Sequence, residues 1–269
     1  MSRDKTLVVI SDGHSGHQAG LTPPEYANSI TGEHHRRDKF AVIQDVTWRW
    51  YYQEAVRLRP VDILVYNGDA IDGRGEKSGS TELIAADRTV QCTMAVESIM
   101  AFQPKNVVIT LGTDYHVAST GEEWEYVIAK LLKDRVEGDV AIGAHEWFTV
   151  NGVMFDCKHH LGSSGVPNTK FNAIAKDALW NMVYASRKEA PRADVIVRSH
   201  VHSFCHCGDT DFFACSTPGL QAYSKFGAKR VSRTIDYGFM HFDVSKEGNY
   251  QWHPHIAKFK ECRPSVLRY

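Results

Sequence analysis

Fourteen of the 269 residues are histidine, and several recur beside aspartate at short, regular spacing. Asp12 and His14 form one such group, Asp69 and Asp72 a second, and Asp114 and His116 a third. The adjacent pair His159 and His160, and then His200 and His202, complete the series. Carboxylate oxygen and imidazole nitrogen together make a mixed ligand set, suited to manganese, iron, zinc, nickel or cobalt. A carboxylate lying between two such ions can bridge them. Two ions about 3.5–4 Å apart can clamp a phosphate and activate water for in-line attack. Each group alone says little. An aspartate after a strand commonly makes a turn or caps a helix, and an isolated H-x-H is commonly structural. The ordered series of five is what points to metal.

The groups fall at the ends of apolar segments. "TLVVIS" (6–11), "DILVYNGD" (62–69) and "NVVITLG" (106–112) read as buried strands, and "ADVIVRSH" (193–200) as another. "AHEWFTV" and "VMFDCKHH" flank Asn151-Gly152, a strong hairpin signal. Helical periodicity covers 40–58, 81–102, 122–134 and 171–188, with acidic residues opening the third of these where the helix dipole favours them. "DFFACST" precedes "TPGL", and "YGFMHFDV" and "YQWHPHIA" flank "SKEGN" as a second hairpin. The order is βαβαβ followed by a more antiparallel half. It predicts an α/β chain with a mostly parallel sheet joined by a second, mixed sheet. In open α/β sheets, ligands gather beyond the carboxyl ends of strands, where these aspartates and histidines stand. Gly13, Gly68 and Gly112 beside them let the backbone turn sharply.

The remaining sequence bounds the answer. Hydrophobic residues make up 43% and charged residues 23%, with a net charge of -1, so no global basicity marks a nucleic-acid or membrane-surface coat. No run approaches the length of a membrane span and no signal peptide is evident, which predicts a cytoplasmic protein with reduced cysteines. Cys205-His206-Cys207 lacks a second pair at finger-like spacing. The chain reads as one domain, 1–269. Its weakly periodic stretch 16–39 is a candidate lid or substrate loop, against the plainer reading of a surface insertion. "HHRRDK" (34–39), "FGAKRVSR" (226–233) and Arg88 could line a basic groove, and Tyr115, Trp124 and Tyr223 could stack on a base. Solvated charge and ordinary packing are the plainer readings of both sets. His253 and His255 read as surface residues of a hairpin.

The order of these motifs resembles the calcineurin-like metallophosphoesterase superfamily, whose signature is D-x-H, G-D-x-x-D, G-N-H-D/E, a lone H and G-H-x-H. Here they read "DGH" (12–14), "GDAID" (68–72), "GTDYH" (112–116), "HH" (159–160) and "SHVH" (199–202). The match spans roughly 6–245. "GLTPPEY" and "GTDYHVASTGEEWE" look like stand-alone members met in bacteriophage genomes, which would place the chain in a host cytoplasm. The resemblance implies a four-layer αββα sandwich of two mixed β-sheets flanked by helices. It implies a hydrolase with a dinuclear centre, manganese first among manganese, iron, zinc, nickel, cobalt and magnesium. By resemblance, Asp12, His14 and His202 hold one ion and Asp69 bridges. His200 and His159, with His160 as the alternative, hold the second. Asp72 orients the loop, a metal-bound hydroxide attacks phosphorus, and His116 protonates the leaving oxygen or stabilises its charge. The family's third-motif Asn is absent in register. Thr113, Asp114 or water would have to fill its place, and His160 and Asp72 are further candidates for metal or phosphate contact. Ser199 replaces a glycine of the fifth motif.

The implied partner is a phosphoester substrate, with nucleic acid or a nucleotide as candidates and no membrane. Phosphodiester cleavage of nuclease or cyclic-nucleotide type and phosphomonoester cleavage both fit. A catalytically degenerate scaffold on the same fold is the alternative, supported by the altered third motif. A dinuclear hydrolase acting on an amide is a third reading, which the motif order disfavours.

Overall fold

The computed structural model describes residues 3–27, 39–113, 123–162, 166, 169–224 and 234–262. Four β-strands, β1 (Lys5–Ile10), β2 (Ile63–Asn67), β3 (Asn106–Thr110) and β4 (Val140–Gly143), run parallel in sequence order. Helices α1 (Lys39–Leu58), α2 (Arg88–Met100) and α3 (Glu125–Leu132) connect them. A second sheet contains β5 (Glu146–Val150), β6 (Val153–Cys157), β7 (Val195–Arg198), β8 (Cys205–Gly208) and β9 (Phe213–Ser216), in the order β5-β6-β7-β9-β8. Helix α4 (Asn172–Ser186) links β6 to β7. The closing hairpin, β10 (Tyr237–Val244) and β11 (Tyr250–Ala257), returns to the first sheet, where β10 pairs antiparallel with β1.

Side-chain alternation explains the layers. Leu7 and Val9 of β1 face one way and meet Val65, Val153, Phe155, Val195, Val197, Met240 and Phe242 between the sheets. Val8 and Ile10 face the other way and pack with Ile43, Tyr51, Cys92, Ile99 and Ile128 of the helices. With both faces covered, β1 reads as an unbroken apolar run. Across the second sheet, Ile196 and Ala214 pack against Ile174 and Ala178 of α4. Three apolar layers therefore separate four structural layers, αββα, as the motif resemblance implies. Each fully buried Leu, Ile, Val or Phe contributes about 1.5–3 kcal/mol, which fixes the strand ends firmly.

The first sheet is mostly parallel, as expected, and is mixed because the C-terminal hairpin joins it at β1. Two sequence readings need correction. The helix read over 81–102 begins only at Arg88, where the Asp87 carboxylate accepts a 2.7 Å hydrogen bond from Thr89 N–H. Residues 82–84 instead pair with 16–18, through the Gln18 N–H to Glu82 C=O and Ile84 N–H to Gly16 C=O bonds. β4 and β8, each of four residues, escaped the pattern reading. The Asn151-Gly152 turn is as expected, with both residues at positive φ (48° and 90°).

Of the stretch 16–39, residues 16, 17 and 19–23 are buried, with Leu21 fully enclosed in the helix-side core. Residues 28–38 lie outside the described residues, as do 226–233, so the two basic runs fall there apart from Lys39. No helix among the described residues is long and apolar enough to cross a membrane.

Candidate metal centre

The loops after β1 and β2 leave the first sheet side by side and continue to pair. Asp12 N–H donates to Gly68 C=O (3.1 Å), His14 N–H to Asp69 C=O (3.1 Å), and Ser15 N–H to Ala70 C=O (3.0 Å). The loops after β6 and β7 arrive from the second sheet, and Ser199 N–H donates to His159 C=O (2.9 Å). A buried polar chain ties the two sheets together beneath them. Thr110 Oγ1 donates to Asn67 Oδ1 (2.8 Å), and Asn67 Nδ2 donates to Ser199 Oγ (2.7 Å). Ser199 and Thr217 hydroxyls are 2.8 Å apart, as are those of Thr217 and Ser11, whose own hydroxyl reaches Pro218 C=O at 3.3 Å. One consistent direction of donation satisfies every member, the condition for a buried polar network to rigidify a fold. Ser199, the departure from glycine in the fifth motif, is a link in it.

Five of the nine non-glycine residues at positive φ among the described residues are candidate ligands. They are Asp12 (52°), His14 (43°), Asp69 (49°), His200 (71°) and His202 (48°). Left-handed backbone costs a non-glycine residue about 1–3 kcal/mol, and such strain concentrates at functional sites. Gly68, at φ 79°, comes so close to His159 that a Cβ would lie 2.4 Å from the imidazole. At Gly112 a Cβ would meet Asp69 Oδ1 at 2.4 Å. Both glycines exist to let these ligands approach.

The side chains assemble into two groups, Asp12–His14–His202 and Asp69–His159–His200, with ligand atoms in each group within 4.8 Å of one another. In the first, His202 Nε2 lies 3.1 Å from Asp12 Oδ1 and 3.4 Å from His14 Nε2. Asp72 Oδ1 lies 3.5 Å from His14 Nδ1, a carboxylate behind a histidine that turns the other ring nitrogen into the site. In the second, His159 Nδ1 donates to Asn67 C=O (2.7 Å), which points Nε2 at Asp69 Oδ2, 3.0 Å away. His200 Nδ1 lies 3.9 Å from the same oxygen. The groups adjoin, since His200 N–H donates to Asp12 Oδ2 at 3.3 Å.

Electrostatics shows the attraction between these groups. Burial on its own would raise the Asp12 pKa, but the His202 imidazole outweighs it and holds the carboxyl well below the usual range. Burial on its own would lower His159, but the Asp69 carboxylate outweighs it and pushes the imidazole up to about 9. In the ion-free chain a proton on His159 therefore takes the place of a cation. The residues fit a metal on a further observation: Asp12 Oδ1 and His159 Nε2 are buried without a hydrogen-bond partner among the described residues. Both are ion-pair contacts by distance, yet neither is oriented as a hydrogen bond.

Thr113 contributes differently from the family's asparagine. Its N–H donates to Asp69 Oδ1 (2.7 Å), and its hydroxyl lies 3.0 and 3.2 Å from the two carboxylate oxygens. It holds Asp69. His160 is exposed, its ring 5.0 Å from that of His200. Asp114 and His116 lie outside the described residues. Cys205 and Cys207 alternate with exposed His206 along β8 and join neither group.

Sequence reasoning overlooked Asn67 and Glu125. Asn67 orients His159 and ties the sheets, and an asparagine closing an apolar strand was its signal. Glu125, read as a helix-dipole partner, is buried behind the Gly112 turn and accepts from Gly112 N–H at 3.3 Å. Burial, helped by the Asp69 charge, pushes it up to about 7.

Neither a protein-family model nor a curated protein matches the chain. Solved structures do. A novel archaeal phosphodiesterase is 11% identical, with 93% of this chain and 99% of that chain covered and a TM-score of 0.46. A predicted phosphoesterase of Streptococcus pneumoniae TIGR4 is 10% identical over 95% and 100% (TM-score 0.37). Wild-type Vps29 of Entamoeba histolytica, complexed with Zn2+, is 12% identical over 93% and 98% (TM-score 0.40). At that level of likeness, function rests on this chain's own residues.

Proposed function

We propose that this chain is a metal-dependent phosphoesterase, hydrolysing a phosphodiester of nuclease or cyclic-nucleotide type, or a phosphomonoester, at a dinuclear centre. The observation that carries the reading is the pair of adjoining Asp/His groups, one Asp and two His each, gathered from the facing rims of two sheets. Asp12, His14 and His202 would hold one ion and His159 and His200 the other, with Asp69 between them. Bound divalent ions supply positive charge against a phosphate and make water a better nucleophile. The chain's own residues do the rest. Thr113 fixes the Asp69 carboxylate, Asn67 fixes the His159 ring, and Asp72 backs His14. His116 would protonate the leaving oxygen. Manganese leads the candidate ions, with iron, zinc, nickel, cobalt and magnesium behind it.

The test is a paired assay of purified protein with manganese, bis-p-nitrophenyl phosphate against p-nitrophenyl phosphate, with a chelator control. Chelator-sensitive turnover of the diester alone assigns a diesterase, and preference for the monoester a phosphatase. No turnover of either by metal-loaded protein would contradict the proposal and favour a scaffold.

A further inference from the structure

A third cluster stands at the other end of the first sheet. His241 of β10 and His253 of β11 are cross-strand partners, their rings stacked at 4.5 Å, and Asp243 follows two residues along β10. Ligand atoms of all three lie within 4.8 Å of one another. Asp243 Oδ2 is 3.4 Å from His241 Nε2 and 3.7 Å from His253 Nε2. Thr6 Oγ1 donates to the other carboxylate oxygen at 3.0 Å. Since Asp243 lies across from Thr6, and Asp12 is six residues further along, this cluster is about 20 Å from the site above.

Behind it runs a relay that fixes tautomers. Glu54 of α1 lies 3.0 Å from His255 Nδ1, so that nitrogen carries the proton. His255 Nε2, 2.6 Å from His241 Nδ1, accepts from it. The remaining lone pair of His241, on Nε2, then faces the Asp243 carboxylate and the His253 ring. Two acceptors 3.4 Å apart call for a cation between them.

We propose that His241, Asp243 and His253 form a separate mononuclear site for a transition-metal ion of the zinc class. Two imidazole nitrogens and one carboxylate oxygen suit zinc, cobalt or nickel and select against calcium and magnesium. Asp243 and His253 are half exposed, so water can complete the coordination and the ion can enter. The Glu54–His255 pair orients His241 as an outer carboxylate orients a zinc histidine. The ion would clasp the edge strand β11 to β10. This inference is independent of the reading of the Asp69 site.

The test is zinc content. Chelator-stripped full-length protein and its Asp243→Asn and His253→Gln variants are equilibrated with buffered Zn2+ and counted by mass spectrometry. Wild type should hold one equivalent per chain more than either variant. Equal counts would overturn the proposal. Should either variant misfold by circular dichroism, histidine ring 15N resonances of the wild type decide. The Nε2 signals of His241 and His253 should shift together on zinc addition, and their staying unchanged at saturation would overturn the site.

Discussion

His159 Nε2 and Asp69 Oδ2 stand 3.0 Å apart, both buried, with the other nitrogen of the ring committed to Asn67 C=O. In the ion-free chain His159 carries a proton, and a metal must displace it. Ion binding should therefore release a proton at neutral pH and strengthen as pH rises toward 9, the value Asp69 imposes on His159 against the effect of burial. The sign for stability is opposite. A histidine raised from 6.5 to about 9 stabilises the ion-free fold fully below 6.5, and that contribution is lost as pH rises through 9. Calorimetry in buffers of different ionisation enthalpy measures the proton, and Tm against pH in chelator measures the loss.

Thr113→Val removes the hydroxyl contacts to Asp69 and keeps the backbone one. Groups behind a metal ligand typically matter 10–100-fold. The variant should fold normally, with turnover and ion affinity reduced by about that factor. Unchanged ion affinity would leave Thr113 as turn packing only.

Glu125 gives a second pH signature. Its pKa rises from 4.5 to about 7, so the protonated acid is the folded form's preference. The stability this gives is complete below 4.5 and falls away as pH passes through 7, by on the order of 3 kcal/mol. Glu125→Gln keeps an acceptor for Gly112 N–H and should flatten that fall in urea titrations made in chelator.

Gly68→Ala should be severe. A Cβ there lies 2.4 Å from the His159 ring, and left-handed alanine costs about 1–2 kcal/mol besides. Loss of one bound ion together with a lowered Tm is the expected result. Full ion content would show that the ring can give way.

What the sequence made legible follows from where the information lies. Asp12, Asp69 and His200 interrupt apolar runs at strand ends, so polarity betrays them locally. The βαβαβ order with a more antiparallel half after it follows from apolar periodicity and hairpin turns, whereas the four-layer αββα arrangement is what the motif resemblance implies. Glu125 was hidden because an acid opening a helix already has a sufficient local reason, and only the docking of the Gly112 turn buries it. Residues 82–84 looked helical by apolar period, but their backbone is taken by 16–18, a contact that no local pattern encodes. His253 and His255 read as surface strand residues. Their meaning comes from register with His241 and Phe239, set by a hairpin that joins the first sheet.

The most direct test of the central claim is Asp69→Asn. Wild-type protein with manganese should hydrolyse bis-p-nitrophenyl phosphate or its monoester and stop when chelator is added. The variant should match it in circular dichroism and lose turnover by about a thousandfold, a loss of roughly 4 kcal/mol of transition-state stabilisation. Unchanged turnover in a folded Asp69→Asn protein would contradict the account.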